Sequence, residues 1–208
     1  NESTEKNFSI FTTPSKDSSY LAGQTPLKSQ YTTENIGLAA FNNGKLVGEL
    51  NAIETMCYLI IANKLEIAQI SIPSPFYPNE TMDITIKANK NTKCTVDLVN
   101  GTPYININID ILSRLTSMDV GSNTLNEERV KKVEEYTNKY LEENILSYLY
   151  KTSKDFKTDI NGFGRFAVKN FLIWNDWIDY NWLHKYESAT FNVTVKSDFK
   201  SSYLLMES

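Results

Sequence analysis

The side chains able to do chemistry in this 208-residue chain are few, and carboxylates dominate them. Asp83, Asp97 and Asp110 fall on alternating, strand-like segments where they could share a polar face, and glycoside hydrolysis needs a carboxylate pair at about 5–10 Å. No motif clusters them, and any polar sheet face presents such pairs by chance. Cys57 and Cys94 are well separated, and His184 is the sole histidine. That supply falls short of the roughly four Cys/His ligands of a structural zinc site and places no base beside a thiol nucleophile. Cys57 lies in an apolar helical run and Cys94 on a strand, so two buried thiols and one disulfide both fit. His184, within Trp182-Leu183-His184-Lys185, reads as a partly buried structural histidine. The sequence therefore assigns no catalytic residue, no metal and no cofactor.

Composition narrows the classes further. Hydrophobic residues make up 41% and charged residues 22%, values of a globular chain with a real core. With Lys+Arg 21 against Asp+Glu 25 and a net charge of −4, there is no electrostatic footprint for nucleic acid. The longest apolar stretch, Met56 to Ala62, is far short of the ~20 residues that cross a bilayer. The chain begins at Asn1 without an apolar leader, so it reads as a processed or excised piece whose targeting or anchoring element lies elsewhere.

Local patterns predict the elements that must position these groups. Residues 1–35 are rich in Ser, Thr, Lys and Asn and form an extended lead-in, the possible tail of a preceding domain, with a short strand around Phe8, Ile10 and Phe11. Ile36 to Phe41 and Lys45 to Leu50 make a hairpin through Asn43-Gly44, a type I′ signal. Asn51 and Glu54 have capping-box spacing, and Ile53, Met56, Cys57, Ile60 and Ile61 continue a helix to about Asn63. From Glu66 the period becomes two. One strand carries Ile70 and Ile72, a second Met82 to Ala88, a third Cys94 to Leu98 and a fourth Ile105 to Ile111, with Asn100-Gly101 as a tight turn. Lys87, Lys90 and Lys93 then surround a hairpin turn, where they could touch anionic lipid.

Thr124 and Glu127 form another capping box, opening a helix from about Asn126 to Thr152 with Val130, Val133, Tyr140, Leu141, Ile145, Tyr148 and Leu149 on one side. Gly162-Phe163-Gly164 breaks that pattern. An aromatic stretch follows, with Trp174, Trp177 and Trp182 at its centre, and Phe191, Val193 and Val195 close the chain as a strand. The predicted class is α+β, an antiparallel-rich sheet packed against a long helix and shorter helices.

Two separated motifs carry a resemblance. The run Ile36-Gly37-Leu38-Ala39-Ala40-Phe41, continued by Asn42-Asn43-Gly44-Lys45-Leu46-Val47-Gly48-Glu49-Leu50 and Glu54-Thr55, resembles the opening of the C-terminal domain of the Ger(x)C proteins. Lys157-Thr158-Asp159-Ile160-Asn161-Gly162-Phe163-Gly164 is similar to that family's second motif, with Asn161 where the family often has Phe. The resemblance spans residues 36 to about 196 and makes residues 36–208 the C-terminal domain.

It implies a non-enzymatic part of a spore germinant receptor: the lipoprotein C subunit, lipid-anchored outside this chain to the outer face of the spore inner membrane. The implied partners are the integral membrane A and B subunits. Gly37, Gly44, Lys45, Gly48, Glu54, Asp159, Gly162 and Gly164 are family motif residues with structural readings. Phe163, Trp174, Trp177 and Trp182 are the candidate partner or ligand surface, since aromatic rings suit both interfaces and sugars. Two alternatives stand beside this scaffold and interaction role: a module binding a small ligand or cortex glycan, and a cell-wall-active hydrolase.

Overall fold

The computed structural model describes residues 37–42, 44–118 and 127–200. The expected lead-in over 1–35, Asn43 of the hairpin and the Thr124 cap lie outside the described residues. The chain divides into two compact units, one running to Thr55 and the other from Met56.

In the first unit, β1 (Leu38–Asn42) and β2 (Lys45–Leu50) pair antiparallel, from Leu38 opposite Leu50 to Asn42 opposite Lys45. The turn residue Gly44 has φ +77°, a conformation that glycine adopts without strain. Gly37 is needed for a different reason: a Cβ there would stand 1.9 Å from the Leu50 carbonyl oxygen. Gly37→Ala is expected to shift the β1–β2 register at a cost of about 1–3 kcal/mol, read as lost amide-exchange protection across the hairpin. The capping box forms as its spacing predicts. The Asn51 N–H donates to Glu54 Oε2 at 2.8 Å and the Glu54 N–H to Asn51 Oδ1 at 2.9 Å, opening α1 (Ala52–Ile61).

The second unit is built on a four-stranded sheet in the order β3-β4-β5-β6: β3 (Ala68–Pro73), β4 (Thr81–Val99), β5 (Thr102–Met118) and β6 (Thr190–Lys200). Here the structure corrects the expected strand count, because Met82–Ala88 and Cys94–Leu98 are parts of one strand. The Asn- and Lys-rich stretch between them has turn composition, but β5 runs beside it without a break. Register shifts at Ala88/Lys90 and Lys90/Lys93 absorb the irregularity as bulges. Lys87, Lys90 and Lys93 therefore lie mid-strand rather than around a hairpin tip. The bulge is also tied down within the second unit: the Thr92 N–H donates to Asn63 Oδ1 at 2.6 Å and its hydroxyl to the Ile60 carbonyl at 3.0 Å. Asn100 and Gly101, with φ of 52° and 75°, form the expected tight turn.

Period-two alternation puts Ile105, Ile107, Ile109 and Ile111 into the core and leaves Asn106, Asn108 and Asp110 on the wet face. β6 adds Phe191, Val193 and Val195 to the core and pairs with β5 in parallel, Tyr104 opposite Thr190 through Arg114 opposite Lys200. A parallel neighbour requires a long crossover, and α2 (Glu127–Tyr150) with the segment after it supplies one. α2 buries Val133, Leu141, Ile145, Tyr148 and Leu149, while the predicted apolar residues Val130 and Tyr140 are half-buried. Its Glu142 Oε1 accepts the Val195 N–H at 2.8 Å, satisfying an amide on the open edge of β6. The helix predicted to reach Thr152 instead widens into a π-turn over Lys151–Asp155.

Candidate functional site

The second motif is a knot of backbone and buried polar groups. After the π-turn, Gly162 takes φ +71° and the chain re-enters a short helix, α3 (Gly164–Ala167). The first N–H groups of a helix lack backbone partners, and Asp159 supplies them. Its Oδ1 accepts the Phe163 N–H and its Oδ2 the Gly164 N–H, each at 2.8 Å. The same Oδ2 accepts the Trp182 indole N–H at 2.8 Å, so one carboxylate joins the motif to α5 (Trp182–Tyr186). Gly164 leaves room for that ring, since a Cβ would stand 2.9 Å from Trp182 Nε1.

Beneath the knot lies a polar cluster in the core. The buried Tyr148 hydroxyl donates to Asn161 Oδ1 at 2.6 Å, and the hydroxyls of Thr152 and Tyr186 stand 3.0 Å apart. Burial pushes both phenols above their ordinary pKa. Asn161 thus satisfies a tyrosine that would otherwise be an orphan. Asn161→Ala is expected to destabilise by about 1–3 kcal/mol in urea titration, because it strands the Tyr148 hydroxyl. Removing that hydroxyl as well, with Tyr148→Phe, is expected to recover part of the loss.

The four aromatic residues expected at a surface separate sharply. Phe163 is 0% exposed, packed between Tyr186 and Phe191 with ring centroids 6.3 and 6.5 Å away, so it presents no area to a partner. Trp182 is buried, its nitrogen held by Asp159 and its ring 5.8 Å from Tyr186. Trp177 is half-buried on α4 (Trp174–Tyr180), against Phe171 at 5.5 Å and Trp182 at 5.9 Å. Only Trp174 is exposed, and Leu172, Ile173 and Ile178 are exposed beside it in sequence. Sequence reasoning missed those three aliphatics. Their signal was an unbroken apolar run, Phe171 to Trp174, leading into a helix too short to bury all of it.

The remaining motif residues are local. Gly48 pairs with Ala40 and Lys45 is an exposed hairpin residue. His184 is exposed rather than partly buried, 4.0 Å from Glu187.

Carboxylate chemistry meets a geometric limit. Asp97 stands opposite Tyr104, Asp110 opposite Lys90 and Asp83 opposite Ser117. At about 3.4 Å per residue these positions are roughly 20 Å apart along β5, well beyond the ~10 Å of a glycosidase pair. Each is already engaged: Asp83 accepts from the Ser71 hydroxyl, Asp97 from Asn106 at 3.3 Å, and Asp110 from Asn89 at 2.7 Å and Lys90 at 3.0 Å. Those bonds from Asn89 and then Lys90 hold the Asp110 carboxyl below its ordinary pKa. Among the described residues, no three His, Cys, Asp or Glu side chains gather as a metal site, and no helix is long and apolar enough to cross a membrane. A recess among Ile60, Leu65, Ala88, Thr92 and Ile109 has room for about one water molecule.

Cys57 and Cys94 are not joined by a disulfide; Cys57 is buried and Cys94 partly so. Burial pushes the Cys94 thiol from 9.0 up to about 11, against a smaller opposing pull from Arg165. The folded state therefore keeps a proton that the unfolded chain loses above pH 9, and stability falls as pH rises from about 9 to about 11. Cys94→Ala is expected to show a smaller decline in urea midpoint over that range than the parent chain.

The family described as "Spore germination B3/ GerAC like, C-terminal" matches residues 36–202. The crystal structure of the GerBC protein has a similar fold, with a TM-score of 0.64 at 18% sequence identity, over 78% of this chain and 50% of that one. The chain thus corresponds to about half the length of that protein's chain. Among the curated proteins, none matches. Both motifs, Ile36 to Thr55 and Lys157 to Gly164, lie inside the matched region, and the chain belongs to the spore germination B3/GerAC-like C-terminal family.

Proposed function

We propose that residues 36–208 are the C-terminal domain of the lipoprotein C subunit of a spore germinant receptor and act there as a non-catalytic docking module. The family match over residues 36–202 carries this reading. The separation of Asp83, Asp97 and Asp110 supports it, since these three strand carboxylates form no hydrolytic pair with one another. The partners are the integral membrane A and B subunits, and a lipid on a part of the protein outside this chain holds it at the outer face of the spore inner membrane. An affinity-tagged full-length protein is expected to bring down both membrane subunits from detergent-solubilised spore membranes. Retention of neither would overturn the receptor reading.

A small-ligand or cortex-glycan role is separated from docking by NMR titration with amino acids, sugars, nucleosides and soluble cortex fragments. A docking module is expected to give no response at millimolar ligand. Saturable shifts in a compact set of amides would make the domain a sensor instead.

A further inference from the structure

Leu172 is fully exposed, and Ile173, Trp174 and Ile178 are 60%, 65% and 58% exposed. Four large apolar side chains so close in sequence are not scattered surface residues, and a patch of this kind marks an interaction site. Resting on the receptor reading above, we infer that the Leu172–Ile178 tip inserts into an apolar cleft, rimmed by Lys or Arg, on a membrane subunit of the receptor.

The tip is held from beneath. Phe171 packs its ring 5.0 Å from Tyr180 and 5.5 Å from Trp177, and the Tyr180 hydroxyl donates to the Gly101 carbonyl at 3.0 Å. On the other side, the Asn170 amide donates to the carbonyls of Val96 at 2.9 Å and Ala167 at 3.1 Å. The exposed residues thus stand on a scaffold anchored to the sheet, which lowers the entropy lost on docking. Trp174 and Ile178 are one turn apart on α4, the spacing with which a helix anchors into a groove, and tryptophan is enriched among dominant interface contacts.

Charge selects the occupant. The charged residues of α4 are Asp176 and Asp179, both exposed. Lys169 and Lys185, which flank α4 in sequence, sit over the rings of Phe166 at 5.7 Å and Tyr180 at 5.9 Å. A helix that lies on a lipid surface carries Lys and Arg on its polar side, and anionic headgroups repel acids. An apolar helix with an acidic rim is instead complementary to a protein cleft with a basic rim, which also steers the encounter.

The test uses the full chain in membranes bearing the A and B subunits, with a photo-crosslinking residue replacing Trp174 or, as a control, Asn108 on the wet sheet face. The Trp174 position is expected to crosslink to a membrane subunit. With native Trp174, binding is expected to weaken about 30-fold or more in Trp174→Ala, the size of a central aromatic anchor. Asp179→Lys is expected to weaken it several-fold, most strongly at low salt, and Asp179→Asn less. Unchanged thermal melting of these variants shows that folding is intact. Crosslinking from Asn108 but not from Trp174 would overturn this inference and leave the receptor reading standing, whereas failure of the tagged chain to retain either subunit would overturn both. Trp174 crosslinking that is indifferent to Asp179→Lys would remove the basic rim. Binding to phosphatidylglycerol vesicles that hold no protein, or a crosslinked pair of this chain, would replace the cleft with a lipid surface or a second copy.

Discussion

Phe163→Ala is expected to destabilise the domain by about 3–5 kcal/mol, the range for truncating a fully buried aromatic. At ~2–4 °C per kcal/mol for a chain of this size, the melting temperature falls by about 10 °C. The magnitude follows from position. Phe163 is 0% exposed and touches Tyr186 of α5 and Phe191 of β6, both more than twenty positions further along the chain, so a cavity there cannot be closed by one local shift. Phe163→Leu keeps most of the volume and is expected to lose less than half as much. A melting temperature unchanged in Phe163→Ala would mean that this ring is not part of the core, and the surface role expected for it would return.

Asp159→Ala is expected to cost about 3 kcal/mol or more. It removes a single acceptor group that satisfies three donors, the N–H groups of Phe163 and Gly164 and the indole of Trp182. Bonds to a charged acceptor contribute about 1.5–3 kcal/mol each, and part-buried donors left without water lose more than the average. Asp159→Asn keeps one oxygen but turns an N–H donor toward the others, so an intermediate loss is expected. Urea midpoints give the energy, and fluorescence in a Trp174→Phe, Trp177→Phe background reports the broken indole bond of Trp182. If Asp159→Ala stays within about 0.5 kcal/mol of the parent, as an ordinary surface substitution does, the carboxylate does not organise the motif.

These two residues divide the domain's logic. Phe163 packs against Tyr186 of α5 and Phe191 of β6, whereas Asp159 ties the turn that delivers Phe163 to the Trp182 indole. The exposed Leu172–Ile178 tip emerges from the same segment, so damage at Asp159 is expected to loosen the tip as well as the core.

Features set by neighbours in the chain were legible in the sequence. The Asn51–Glu54 box, the turn at Asn100-Gly101 and the alternation of Ile105 to Ile111 depend on residues a few positions apart, and each formed as its spacing required. The two glycine-bearing motifs were enough to place the chain in its family. Features set across the fold were not legible. Asn89 to Lys93 reads as a turn, yet it became a bulge because an unbroken β5 lay beside it. The fate of each tryptophan depended on what reached it. Asp159 came to Trp182 from a distant turn, Phe171 and Trp182 covered half of Trp177, and Trp174 was left in water. Residue type and spacing determine which local structures are favourable. Burial depends on contacts between elements far apart in sequence, and those contacts decided which aromatic residues became core and which stayed exposed.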